Sequence, residues 1–245
     1  MPTLTPRDLV AVLEAHPELV EGEADRFAGY GVLGVYFPSG DVLALRRHAA
    51  SSLGWACTSV WHRDRTGRWV FYQDTLPYQG CSRYFASGID AALVAPVRVV
   101  WRDAFTFTVM VEYGGGLEWR VDLAPGGRTH LVGALVGLLP ARVWERPAAV
   151  RGLGAAAGAA LGAGRLRFAG RTPDAYRFLE RPKKLWHVRS SRAVIGGRDT
   201  GNAIEPAEQV SLGDVWLPSR GLFAIARMDI RKGETLRPGR RESCS

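Results

Sequence analysis

Three short stretches set polar and aromatic side chains among otherwise apolar residues, and these are the groups that could do chemistry. Residues 58–74, TSVWHRDRTGRWVFYQD, supply Trp61, His62, Trp69, Phe71 and Tyr72. Residues 81–85, CSRYF, supply Arg83 and Tyr84, and residues 213–221, GDVWLPSRG, supply Asp214, Trp216 and Arg220. His62, Tyr72, Tyr84 and Asp214 are the candidate catalytic residues, because each can donate or accept one proton or stabilise developing charge. Trp61, Trp69, Phe71, Trp119 and Trp216 are candidate ligand-binding residues, since aromatic faces hold an apolar body and attract a cationic intermediate. Arg83 and Arg220 complete that set. A charge facing a protein interior is costly unless paired. Arg83, Asp214 and Arg220 are therefore expected at a rim, in internal pairs that fix strand closure, or against a ligand.

Other chemistries find no matching pattern. The histidines stand at 16, 48, 62, 130 and 187, never two or four apart, and no carboxylate accompanies them at a ligand spacing, so no metal is expected. No Gly-x-Ser-x-Gly elbow marks a nucleophilic triad. Gly29-Tyr30-Gly31-Val32-Leu33-Gly34 matches the dinucleotide fingerprint, but that loop must open a helix, and here a β-like Val35-Tyr36-Phe37 and the turn Pro38-Ser39-Gly40-Asp41 follow. No cofactor is expected. Cys57, Cys81 and Cys244 form neither a disulfide framework nor a metal spacing, which fits a reducing cytoplasm, and the N-terminus carries no secretion signal. The net charge of +8 is scattered: Arg63, Arg65 and Arg68 flank Asp64, and Arg98 and Arg102 accompany Asp103. Charge in that arrangement favours solubility, and no nucleic-acid partner is expected. Oligomeric state is not legible.

The elements that must position these groups are mostly strands. Thr5-Pro6-Arg7-Asp8 reads as an N-cap, a first-turn proline and an acid, opening a helix that ends at His16-Pro17. From Gly29 the period is two: Gly29–Phe37, a turn, then Val42–His48. Asp64-Arg65-Thr66-Gly67 suits a type I turn between strands 58–63 and 68–74. A bulge at Gly67 would shift the register by one, so His62 shares a face either with Trp69 and Phe71 or with Val70 and Tyr72. Residues 97–123 alternate as a three-strand meander with one dry face. Residues 128–163 read as a helical insertion in which Gly154, Gly158 and Gly162 leave one face bare for close backbone approach. That insertion is expected to cover one end of the sheet, with transient membrane contact through 129–163 as the alternative; it is too short and interrupted to span a bilayer. Strands are expected at 165–170, 175–180, 184–190, 192–195 and 222–228. One domain over 1–235 with a disordered tail at 236–245 follows. The expected fold class is mainly β: an antiparallel lipocalin-like β-barrel or strongly curved sheet with an inserted helical hairpin and an N-terminal helix.

SGDVLALRRHAASSLG, TSVWHRDRTGRWVFY, CSRYF, RPKKLWHVRSSRA and QVSLGDVWLPSRGLFA together resemble a bacterial protein family that carries no catalytic assignment, over about Gly29 to Ala226. The meander and the aromatic-rich strands also resemble lipocalin-like proteins of the carotenoid 1,2-hydratase kind, a likeness that implies a barrel around an elongated hydrophobe. The expected function is thus a cofactor-independent enzyme that cyclises, isomerises or hydrates a hydrophobic small molecule, a polyene, terpenoid or polyketide, inside the barrel. Carriage of a lipid or pigment without chemistry is the alternative. A third reading rests on Arg181-Pro182-Lys183-Lys184, which resembles the lysine pair of acetoacetate decarboxylase-like enzymes. A lysine beside another cation can form a Schiff base through Lys184, although the same residues also read as an exposed turn.

Overall fold

The computed structural model describes residues 4–126, 129, 132, 133 and 139–232. The expected tail at 236–245 and, of the helical insertion expected over 128–163, residues 128, 130, 131 and 134–138 lie outside these residues. Helix α1 (Pro6–Ala15) starts where the cap signals place it. The Thr5 hydroxyl accepts from the Asp8 amide, and Asp8 accepts from the Thr5 amide in return. Strands β1 (Asp25–Tyr36), β2 (Val42–Ser51), β3 (Cys57–Arg63) and β4 (Trp69–Gln73) follow as antiparallel neighbours. The β3–β4 turn has the expected chemistry. The Gly67 amide donates to the Asp64 carbonyl at 2.9 Å, Asp64 Oδ1 accepts from Thr66 and Arg68, and Gly67 takes a φ of 91° that closes the turn with a bulge.

Chain then runs through short 3-10 turns to β5 (Ala91–Val94), which pairs with β4 in parallel. The sheet is therefore mixed, not purely antiparallel as expected, because residues 74–90 return the chain to the start of β4 before the next strand begins. The meander is β6 (Val97–Trp101), β7 (Thr106–Val111) and β8 (Leu117–Leu123). Helices α2 (Ala141–Trp144) and α3 (Pro147–Leu161) lead to β9 (Ala169–Arg171). The strands expected at 175–180, 184–190 and 192–195 are one long strand, β10 (Arg177–Ile195), with a bulge between Pro182 and Lys184 that lets a proline sit inside a ladder. Strand β11 (Arg198–Asn202) turns back on β10, β12 (Ser211–Leu212) and β13 (Val215–Trp216) form a separate small hairpin, and β14 (Leu222–Arg231) enters the middle of the main sheet, between β1 and β10. The order along the sheet is β5-β4-β3-β2-β1-β14-β10-β8-β7-β6, with β9 and β11 attached to β10.

This sheet curls into a half-barrel. Leu43 and Val60 from one end pack in one cluster with Phe107 and Trp119 from the other, and Val10 of α1 joins them. The hollow expected inside the curl is instead filled: Trp119, Trp186, Phe107, Phe223 and Leu123 are fully buried there. The outer face is dry as well. Two further clusters cover it, one built on Trp61, Phe71, Tyr84, Phe85 and Phe178, the other on Leu33, Leu185, Leu166 and the apolar side of α3. Among the described residues, no helix is long and apolar enough to cross a membrane.

Candidate functional site

Register sorts the polar residues between these two faces. His62 pairs with Val70 and Trp61 with Phe71, so His62 shares a face with Tyr72, and Trp61 shares one with Phe71 and Trp69. The His62 and Tyr72 rings lie on the filled side, 6.4 Å apart. There His62 Nε2 donates to Asp41 Oδ1 at 2.8 Å, and Arg198 and Ser39 donate to the other oxygen of that carboxylate. Asp41, just before β2, thus ties β3 to β11 through His62 and Arg198.

The cavity opens on the outer face, between the sheet and the segments 166–168, 172 and 215–216. Strand alternation explains its floor. On β14, Ala224, Met228 and Ile230 face it while Phe223 and Ile225 face the filled core. On β2, Arg46 and His48 face it, on the side of Ala44. On β10, Glu180 and Pro182 face it, and after the bulge Leu185 does. The cavity continues along Gly29 and Gly31 of β1. Glycine is required at both positions: a Cβ would fall 1.9 Å from the Arg47 carbonyl oxygen at Gly29 and 2.0 Å from that of Leu45 at Gly31. The glycine motif therefore lets β1 press against β2 and leaves the floor bare; it holds no nucleotide loop. All atom-free space out to solvent at the mouth is about 810 Å³, but only about 40 Å³ can hold the centre of a water-sized sphere. One water needs roughly 10–15 Å³ by that measure, so the second figure governs: the closed cavity takes a few waters or a molecule of a few heavy atoms.

Its walls are mainly apolar, with Phe27, Trp61, Phe85 and Phe168 prominent. Four titratable groups stand out against them. Burial pushes the Glu180 carboxyl up, with Arg46 opposing, and Glu180 has no hydrogen-bond or ion-pair partner among the described residues. The Arg46 guanidinium lies 4.8 Å from the centre of the Trp61 ring, and its Nη1 donates to the carbonyls of Val32 and Leu45 at 2.8 and 3.0 Å. Its Nε and Nη2 find no partner among the described residues. Burial, reinforced by Arg46 and Arg47, pushes His48 down to about 3, so it is neutral, with Nε2 3.6 Å from the Cys81 sulfur. Burial raises that thiol too, leaving it protonated.

The residues singled out by sequence divide accordingly. Trp61, Tyr84 and Trp216 line the cavity. Tyr84 contributes its ring, since its hydroxyl donates to Asp25 Oδ2 at 2.8 Å, and burial followed by that bond raises it. The Arg165 guanidinium sits 4.2 Å over the Trp216 ring. Trp69 and Phe71 pack behind the lining in the same aromatic cluster. Asp214 stands outside the lining, bonded to the Arg167 guanidinium and to the Arg171 amide at 2.9 Å. Arg83 and Arg220 are exposed. Trp119 lies in the filled core, its indole donating to Ser191 at 2.7 Å. Lys183 and Lys184 are both exposed and neither lines the cavity; Lys184 pairs with Ile225 and so shares the face of the filled core. Sequence reasoning passed over Arg46, His48 and Glu180. For Arg46 and His48 a signal was available, since Ala44-Leu45-Arg46-Arg47-His48 puts charge inside an otherwise apolar strand; Glu180 is one of several charges in Arg177–Lys184 and does not stand out there.

Among the described residues no group of three or more His, Cys, Asp or Glu could hold a metal ion. No protein-family model and no curated protein matches the chain. A solved structure that does resemble it is acetoacetate decarboxylase from Legionella pneumophila, at 9% identity over 92% of this chain and 95% of that one, with a TM-score of 0.39. Nothing about activity passes across a likeness of that size. A curled half-barrel is compatible with a lipocalin-like fold, but no family match supports the lipocalin reading.

Proposed function

We propose that the protein is an enzyme that binds a small, largely apolar molecule in this outer-face cavity and moves a proton on it, as in isomerisation or hydration. The observation that carries the reading is Glu180: a carboxyl raised by burial, free of hydrogen bonds among the described residues, on the wall of an apolar cavity. A structural carboxylate in such a place is normally paired. One kept unpaired and raised is suited to general acid and base work. Phe27, Trp61 and Phe85 would hold the substrate body, and exclusion of water strengthens the charges that act on it. The size of the cavity narrows the expected substrate from an extended polyene to a compact molecule.

The mainly apolar lining equally suits a carrier of a small hydrophobe, and one experiment separates the two. Small alkenes, ketones and enols are screened for binding, and those that bind are incubated with the protein in deuterated water. Proton NMR should show deuterium entering the bound compound, with the rate reduced at least about a hundredfold in Glu180→Gln. Binding without exchange for every ligand found assigns the cavity to carriage. A Schiff-base reaction would need Lys183 or Lys184 to reach the ligand, and a borohydride-trapped adduct at either would replace the present reading.

A further inference from the structure

Resting on that reading of the cavity, we propose that its ligand is a small monoanion with a short apolar body, a short-chain carboxylate, whose charged end is bound by Arg46. The guanidinium is the only cation on the sheet side of the cavity wall among the described residues, and it is fixed rather than mobile. Its Nη1 is bonded twice to strand carbonyls and its carbon lies 4.8 Å from the centre of the Trp61 ring, while Nε and Nη2 carry N–H groups with no acceptor among the described residues. Glu180 faces the same space yet forms no ion pair with it among the described residues. His48 is neutral and adds no charge.

Burial works against the charged form of Glu180, and Arg46 forms no ion pair with it among the described residues, so the guanidinium is the positive group that an anion meets on the cavity floor. A guanidinium edge with adjacent free N–H groups matches the two oxygens of a carboxylate. The bare backbone at Gly29 and Gly31 and the walls of Phe27 and Leu33 leave the rest of the ligand only apolar contacts. Inorganic phosphate, strongly hydrated and without an apolar part, meets only half of these conditions. The volume open to a water-sized sphere, about 40 Å³, limits the chain to a few carbons.

Calorimetric titration of the full chain tests this with butyrate, butyramide, n-butanol and inorganic phosphate as probes. Butyrate should bind roughly tenfold or more tightly than butyramide, the loss expected when a charge-assisted hydrogen bond is replaced by a neutral one. Phosphate should give no heat of binding. Arg46→Met should abolish the preference for butyrate while retaining the weak binding of n-butanol, which shows that the cavity persists; Arg46→Lys should recover part of the preference. Equal affinity for butyrate and butyramide, or a preference for butyrate that survives Arg46→Met, overturns the anion assignment and leaves the proton-transfer reading standing. Absence of binding by all four probes, with no exchange on any compound screened above, removes both.

Discussion

Helix α3 carries three glycines whose replacement by alanine should move stability in opposite directions, although the intrinsic helix preference of each change is the same. Gly152 is exposed, and a Cβ built on it meets nothing within 4 Å. Gly152→Ala should therefore return the full propensity difference, about 1 kcal/mol of stabilisation. For a chain of this size that is a rise in Tm of roughly 2–4 °C. A Cβ on Gly158 would lie 2.2 Å from the Gly164 carbonyl oxygen and one on Gly154 2.6 Å from that of Leu166, where contacts under 3.0 Å are essentially never found. The backbone would have to give by about 0.8 Å at Gly158 and about 0.4 Å at Gly154. Both obstacles are backbone and cannot rotate aside, so the cost lies toward the upper end of overpacking, about 3 kcal/mol at Gly158, against the same gain of about 1. Net destabilisation of about 2 kcal/mol puts Gly158→Ala about 3 kcal/mol below Gly152→Ala, with Gly154→Ala between them. Urea melts of the three variants beside wild type measure that order. The residues that seat against these glycines lead directly into Leu166, Arg167 and Phe168 of the cavity wall. If Gly158→Ala proves as stable as Gly152→Ala, α3 does not rest on 164–167, and the outer wall of the site is not built as described.

Glu180 supplies a pH signature. Its carboxyl is raised from 4.5 by burial, so the folded chain keeps a proton that the unfolded chain has released, and stability falls as pH rises through the window between those two values. Glu180→Gln should match wild type below about pH 4 and exceed it above the window, by about 1.4 kcal/mol for each unit of the upward shift, as read from urea midpoints across pH. Gly31→Ala should destabilise by about 3 kcal/mol in the same assay, because its Cβ would fall 2.0 Å from the Leu45 carbonyl oxygen. For Asp41, burial works to raise the carboxyl, but hydrogen bonds from Ser39, His62 and Arg198 outweigh it and hold it below its ordinary value, so its contribution is present near neutrality and lost as pH falls through that lowered value. Asp41→Asn should cost about 2 kcal/mol at neutral pH in urea melts, with the deficit narrowing in acid.

Legibility in the sequence followed the range over which each cause acts. The α1 cap, the Asp64–Gly67 turn and the β6–β8 meander are local: a hydroxyl three residues from an acid, a glycine where φ must be positive, an alternation unbroken over one strand. Each stands where the residues place it. The parallel β4–β5 pair depends on where residues 74–90 travel, which no period records. Strand β10 was divided because Pro182 and two lysines interrupt its pattern, whereas the bulge at Lys183 absorbs the proline and lets the ladder continue. Alternation also named two faces for each strand without saying that both would be covered. Trp119 and His62 were grouped with Trp61 on chemistry alone, and pairing across strands sends them to opposite sides of the sheet.

The two dry faces bear on where chemistry can sit. A concave face filled by the buried side chains of Trp119, Trp186 and Phe223 is close-packed and can supply rigidity. The outer face is covered by loops and by a helix whose glycines seat against 164–167, and gaps persist where β1 offers only Gly29 and Gly31. Arg46 and Glu180 occupy that gap without pairing, an arrangement that costs stability relative to either an ion pair or two apolar residues. The two carbonyl bonds on Nη1 and the Trp61 ring restrain Arg46 from swinging toward Glu180. Separation of the two groups is thus imposed by the strand backbone and by an aromatic neighbour on the adjacent strand. On the proposed reading, holding them apart leaves the guanidinium and the carboxyl both available to a third molecule.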